Sequence, residues 1–293
     1  MSIVDAKDRD NLLLNTMNPM EKKSSINLDL EAAYRKALNE KKELSVNPAQ
    51  FTDIYSEEVI KNDLRRVAEM EVKFQKEKNP EQDYAKKIAG VFEAIINAHA
   101  EQSEWLGPNA MTIQASRYDD IFNGTDIVAK FDTDDKVLEI AIDVTTSEDV
   151  AKKIKQVKDA IDSNQLTDIK YFSSEEEGEE MHAGLKNIPR VVIGAEYKTI
   201  NELMELWLNG QNKELGQHPY QIQILEEVAM QLKAFRDYAQ KVNKDNLAKI
   251  FDERLGLIQK ILEEKSRDKN IKSERFTEDK AFWGISEALQ IFK

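Results

Sequence analysis

YDDIFNGTDIVAKFDTDDKVLEIAIDVTTS, from Tyr118 to Ser147, decides the architecture. In its last third, Leu138, Ile140, Ile142 and Val144 fall on one parity, and Val137, Glu139, Ala141, Asp143 and Thr145 on the other. A strand makes that alternation and a helix does not. TDIVAKF reads as the strand before it and MTIQASRYDDIF as the one before that, with Asn123-Gly124 predicted to be the tight turn of a hairpin. Asp132 to Asp135 supply a second polar turn. Asp126 opens one run and Asp143 closes the next, so pairing of the two strands brings both carboxylates to one sheet edge. There they offer hard oxygen ligands to a divalent cation such as Mg2+ or Mn2+.

Working upstream, Asn79 is a good N-cap with Pro80 at the first helical position, and Ile88, Val91, Phe92, Ile95 and Ile96 then repeat at helical spacing. This helix is expected to pack on the sheet. Residues 28–80 read as a helical N-terminal region, with one helix over about Leu28 to Lys42 and a second through Val59, Leu64, Val67 and Met70. Residues 1–27 are polar and aperiodic and read as a flexible arm.

Downstream, Thr146 and Asp149 approximate a capping box for a crossover helix through Val150, Ile154, Val157 and Ile161. IKYF at 169–172 reads as a strand, SEEEGEEMHAGL as helix or loop, and RVVIGAE from Arg190 as an apolar strand. Thr199 and Glu202 are expected to cap the helix TINELMELWL. Strands alternating with helices predict an α/β fold over 81–210, with a mixed central sheet covered on both faces by flanking helices. Residues 211–293 form a helical C-terminal region. Ile222, Leu225, Val228, Ala229, Leu232, Phe235 and Ala239 make one stripe there, and Leu247, Ile250, Leu255, Ile258 and Leu262 another. In the last segment Phe282, Trp283, Ile285, Leu289 and Ile291 read as packing anchors.

Composition removes several function classes. The 293 residues contain no cysteine, so disulfides, thiolate metal sites and a cysteine nucleophile are excluded. Three histidines, none paired at the spacing of a zinc helix, make His99 a structural residue rather than a ligand. No Gly-rich phosphate loop or Gly-x-Ser-x-Gly elbow occurs. No long apolar run or signal-peptide pattern is seen, which predicts a soluble cytoplasmic protein without membrane contact. A net charge of -13 leaves no general attraction to nucleic acid, only a local patch at Lys152, Lys153, Lys155 and Lys158 as a possible contact for DNA or RNA.

The order helix, three strands, helix, strand, with acids at Asp126 and Asp143, resembles the PD-(D/E)XK nuclease superfamily over about Glu81 to Glu196. The resemblance implies a restriction-endonuclease-like core and Mg2+-dependent (or Mn2+-dependent) hydrolysis of nucleic acid phosphodiesters. It makes Asp126 and Asp143 metal ligands and Glu93, in VFEAII, the auxiliary acid from the first helix. The family's lysine two residues beyond the third-strand acid is here Thr145, whose hydroxyl donates a hydrogen bond but carries no charge. A relocated lysine is expected at Lys153, Lys155 or Lys130, in that order. Read without the family, Asp126 is equally a turn residue, Asp143 a helix cap and Glu93 an ordinary helix residue, while Asp119 and Asp120 read as further ligands or, in preference, as surface charge. The alternative function is a catalytically inactive scaffold whose C-terminal stripes bind a partner protein or a second copy of the chain.

Overall fold

The computed structural model describes residues 19–76, 79–146, 150–176, 179–271 and 279–293, with side chains from Leu28 onward except at 175, 176, 179 and 180. Helix α1 runs over Pro19–Leu44, a 3-10 turn over Pro48–Gln50, α2 over Glu57–Lys76 and α3 over Pro80–Gln102. The expected arm over 1–27 is therefore corrected in its last third. Pro19 suits a first helical position, and the helix formers after it extend α1 without any apolar period. Residues 1–18 lie outside the described residues. α3 starts as its sequence predicts: the Asn79 side chain accepts from the Gln82 N–H at 2.8 Å, and Gln82 Oε1 accepts from the Asn79 N–H at 3.3 Å.

Strand β1 (Ala110–Gln114), helix α4 (Arg117–Asn123), β2 (Ile127–Asp132) and β3 (Val137–Thr145) follow. The hairpin turn expected at Asn123-Gly124 is corrected. RYDDIFN is a short helix, N-capped by Ser116, which accepts the Asp119 N–H at 3.1 Å, and C-capped by Gly124 at φ +63°. The glycine that suits a hairpin turn suits a left-handed C-cap equally well. β1 and β2 still pair antiparallel, with Gln114 opposite Ile127, so α4 is a helical insert in their connection.

β2 and β3 pair antiparallel and β3 pairs in parallel with β6 (Arg190–Gly194), giving the mixed order β1-β2-β3-β6. Helix α5 (Val150–Asp162) is the crossover; the cap residue Asp149 expected for it lies outside the described residues. Strands β4 (Thr167–Glu176) and β5 (Glu179–Ile188) form a separate antiparallel hairpin. This corrects the helix or loop expected over SEEEGEEMHAGL. The run of glutamates hides the period-2 signal of Ala183 and Leu185, which pack with Val128, Ala141, Ile169, Phe172 and Ile188 against one face of the main sheet.

The chain closes with α6 (Tyr197–Leu208), α7 (Asn212–Gly216), α8 (Tyr220–Lys241), α9 (Asp245–Ser266), α10 (Lys280–Ala288) and a 3-10 turn over Leu289–Phe292. α6 begins two residues before the cap expected at Thr199, whose hydroxyl instead donates to Asp279 Oδ2 at 3.0 Å. The second face of the sheet, carrying Ile127, Ala129, Phe131, Leu138, Ile140 and Ile142, packs in one cluster with Phe92 and Ile95 of α3, Leu225 and Phe235 of α8 and Phe251 and Leu255 of α9. The C-terminal stripes are thus largely used up inside the chain rather than offered to a partner. At the end of the chain Ile285, Leu289 and Phe292 are buried, whereas Trp283 and Ile291 are exposed and are not the anchors their spacing suggests. No helix among the described residues is long and apolar enough to cross a membrane.

β6 is the last strand of its sheet, and α8 closes its open edge with side chains. Gln231 Oε1 accepts the Val192 N–H at 2.8 Å while its Nε2 donates to the Val192 carbonyl at 2.7 Å. Glu227 Oε2 accepts the Gly194 N–H at 3.0 Å. An edge strand exposes a row of unpaired backbone groups, and here amide and carboxylate groups one helical turn apart replace the missing strand.

Candidate functional site

The register Ile127 opposite Ile142, carried one step further, sets Asp126 across from Asp143. Directly opposed residues of an antiparallel pair have Cβ atoms about 5 Å apart. The Asp126 N–H donates to the Ile142 carbonyl at 2.9 Å, and its Oδ2 accepts the Val144 N–H at 2.8 Å. Asp126 therefore fixes the end of β3 with one oxygen. Asp143, 6% exposed, accepts a hydrogen bond at Oδ1 from Lys153 of α5, which reaches back over the strand end.

Two further acids converge on this edge. Glu93, at the middle of α3, accepts at Oε1 from Lys41 Nζ of α1 and from Gln114 Nε2 of β1, both at 2.6 Å. Gln114 also donates to the Asp126 carbonyl at 2.9 Å, tying helix and strand together. Asp120 of α4 accepts at Oδ2 from Arg117 at 2.5 Å and from Lys41 at 3.4 Å. Glu93, Asp120, Asp126 and Asp143 line one cavity of about 310 Å3 with Gly124, Lys152 and Lys153. Gly124 is needed there for its left-handed conformation, and a side chain in its place would also push the Arg190 guanidinium aside. A Cβ on Gly124 would collide with Arg190 Nη1 and lie 3.8 Å from Asp143 Oδ2.

The electrostatics follow from burial and crowding. Burial raises the Asp143 and Glu93 carboxyls above their ordinary range, against the pull of Lys153 and Lys41 respectively. Asp126 is raised furthest, by burial and then by its neighbours Glu93, Asp120 and Asp143. Burial alone would lower Lys41, but Glu93 and Asp120 beside it carry it above its ordinary value, so it stays charged.

Each of the four acids uses one oxygen in these bonds. Glu93 Oε2, Asp120 Oδ1, Asp126 Oδ1 and Asp143 Oδ2 accept no hydrogen bond among the described residues. An all-carboxylate donor set with spare oxygens fits Mg2+ or Mn2+. Among the described residues no three acidic or histidine side chains form a group that could hold a metal ion as they stand, and lysines pair with three of the four carboxylates, Glu93, Asp120 and Asp143.

Of the residues singled out in the sequence, Asp126, Asp143, Glu93 and Lys153 come together. Thr145 ends β3 on the Asp143 face, opposite Gly194 of β6. Lys155 does not join them: it pairs with Asp159 at 3.2 Å on the outer face of α5. Lys130 is also absent, opposite Glu139 and four residues along the strand from Asp126, about 13 Å away. The expected lysine patch is divided, with Lys152 and Lys153 at the cavity and Lys155 and Lys158 paired to Asp159 and Asp162. His99 is fully buried, bonded through Nδ1 to Ser103 at 2.9 Å, and held neutral by burial with its pKa pushed down to about 4.

Two site residues, Lys41 and Gln114, go unrecognised in the sequence, and Asp120 stays between ligand and surface charge as long as Arg117–Asn123 is taken for a strand. On the actual helix, Asp119 turns inward to accept the Lys170 and Tyr171 N–H groups, and Asp120 faces the cavity. Lys41 and Gln114 carry no local signal, because both act through contacts with Glu93. The site is described by its geometry alone, for no protein-family model, curated protein or solved structure matches this chain.

Proposed function

We propose that the chain is a divalent-cation-dependent phosphodiester hydrolase of nuclease type, a divergent PD-(D/E)XK-like protein in which Lys153 of α5 replaces the lysine missing at Thr145. The observation that carries this reading is the Lys153 ammonium bonded to Asp143 within a cavity shared by Asp126, Glu93 and Asp120. Asp126 and Asp143, with Glu93 as auxiliary, are the groups that would hold Mg2+ or Mn2+. Such an ion supplies an activated water near neutral pH and a counter-charge for the phosphoryl oxygens.

The chain's own side chains divide the remaining work. Lys153 brings a fixed positive charge to the edge where phosphoryl oxygens would accumulate negative charge. Lys41 and Gln114 hold Glu93 Oε1 and leave its second oxygen available as a ligand. Asp126 Oδ2 is anchored by the Val144 N–H, which orients Oδ1. Thr145 is an orienting hydroxyl next to Asp143. The competing reading, an inactive scaffold that binds partners through its C-terminal stripes, is weakened because Leu225, Val228, Leu232, Phe251, Leu255 and Ile258 are buried in the core.

The test is calorimetric titration of the wild type and Asp143→Ala with Mn2+ and Mg2+, paired with cleavage assays on single- and double-stranded DNA and RNA. Metal uptake by the wild type that is lost in Asp143→Ala, together with metal-dependent cleavage, is the expected result. Uptake unchanged by the substitution removes Asp143 from the centre and the hydrolase reading with it.

A further inference from the structure

A second, larger depression opens from the acidic cavity. A groove of about 600 Å3 runs between α1 and α3 and shares Ala89, Glu93, Asp120 and Asp126 with the cavity, so the two adjoin at the acids. Its composition changes with distance from the acids. Near them lie Lys41, Arg117 and Glu71, joined to the acids through ion pairs. Farther out the walls carry Tyr34, Leu38, Lys42 and Lys86. Leu38 is 47% exposed, and Lys42 and Lys86 are exposed at the rim.

Gly90 gives this groove a flat floor. It stands inside α3, where glycine costs about 1 kcal/mol relative to alanine. A Cβ on it would come within 3.2 Å of the Tyr34 ring, a tight contact that the ring would relieve by moving a few tenths of an ångström. The half-buried Tyr34 ring lies against the helix backbone and leaves an aromatic and aliphatic surface beside two rim cations. Such a surface suits an unpaired base, and the cations suit the phosphates on either side of it.

We infer that this groove is the binding path for a single-stranded polynucleotide, with a base seated on Tyr34 and Leu38 and the backbone on Lys42 and Lys86. The inference rests on the nuclease reading of the adjoining cavity, whose substrate class it names. Helix α1 stands so close over the acids that one lysine side chain bridges it to both Glu93 and Asp120, which bounds the cleft on that side. A lone strand can thread it, whereas a duplex would have to bring its second backbone onto a chain of net charge -13. A neighbouring depression of about 690 Å3 is lined by Glu40, Glu43 and Glu101, which disfavours phosphate there.

The test is fluorescence anisotropy of the full chain in EDTA, with a labelled oligonucleotide of about twelve nucleotides offered as a single strand and as a duplex. The single strand is expected to bind at least about tenfold more tightly. Leu38→Glu and the pair Lys42→Glu/Lys86→Glu should each weaken it about tenfold, and Lys249→Glu on the exposed face of α9 should not. Equal or tighter duplex binding, or full affinity in the groove variants, overturns the inference. Cleavage of the same oligonucleotides with Mn2+ separates the two readings: groove-dependent binding without cleavage sinks only the hydrolase, and cleavage with groove variants that bind normally sinks only the groove.

Discussion

Two groups of carboxylates border this sheet, one at the outer edge of β6 and one at the ends of β2 and β3, and they are satisfied in different ways. At the outer edge of β6, Glu227 accepts from the Gly194 N–H with one oxygen and from Gln223 Nε2, at 2.8 Å, with the other. Gln223 then bonds to Asp279, and Asp279 accepts the Glu196 N–H at 2.8 Å. At the ends of β2 and β3, each of four carboxylates keeps one oxygen without a partner among the described residues and faces a cavity. Both Glu227 and Asp126 have pKa values raised well above the ordinary range, foremost by burial. A raised carboxyl pKa therefore does not separate structure from function in this molecule. What separates them is incomplete hydrogen bonding next to open space, with lysines nearby.

The largest effect expected from breaking this contrast is on catalysis. Lys153→Met should reduce metal-dependent cleavage by about 100-fold or more, the scale of a lost electrostatic stabiliser, with little change in metal uptake. Steady-state cleavage rates and calorimetry on one preparation check it, and normal turnover in Lys153→Met would deny the relocated lysine.

The closed cluster should respond through stability instead. Gln231→Leu leaves the Val192 N–H and carbonyl buried without partners, at a cost of about 2–4 kcal/mol. Thermal denaturation should show a melting temperature lower by roughly 5 °C or more. A melting temperature within a degree of wild type would mean that α8 does not cap the β6 edge.

In the open cluster the sign reverses. Asp126→Asn keeps an oxygen for the Val144 N–H and removes one of four crowded charges, so it should stabilise the metal-free protein by about 1 kcal/mol, roughly 2–4 °C. The pH dependence follows from linkage. A carboxyl whose folded pKa lies above its unfolded value binds more protons when folded, so its stabilising contribution is complete below about pH 4 and is lost as pH rises towards the folded value. The advantage of Asp126→Asn over wild type should be small in acid and grow towards neutrality. A gap that shrinks with rising pH contradicts the crowding of these acids. The same raised values predict that metal uptake strengthens as pH rises, because each ligand must lose its proton first.

The smallest effect belongs to Lys155. Its pair with Asp159 is exposed, and exposed i,i+4 pairs contribute about 0.3–0.5 kcal/mol. Lys155→Ala should leave cleavage unchanged and shift the melting temperature by no more than about 1–2 °C. Loss of cleavage in that variant would return the choice of lysine to the sequence alternatives.

The sequence by itself determined the α/β class, the capped helix from Pro80, and strand β3 with Asp143 on the face opposite Ile140 and Ile142. These are local signals, a side-chain period and a cap, that no distant contact needed to complete. It also put Asp126 and Asp143 on neighbouring strands, because a strand, a short polar turn and a returning strand allow few other pairings. Tertiary structure decided the rest. Gly124 could end a helix or turn a hairpin, and packing of Asp119 under β4 favoured the helix, which swung Asp120 into the cavity. The glutamates around Glu175 to Glu180 concealed a hairpin that forms because Ala183 and Leu185 find the sheet. Lys41, Gln114 and Lys153 owe their places to contacts with residues as far as 52 positions away. A period in the sequence shows which side of an element is apolar, but only the packed chain brings a charge from one element to the acid of another.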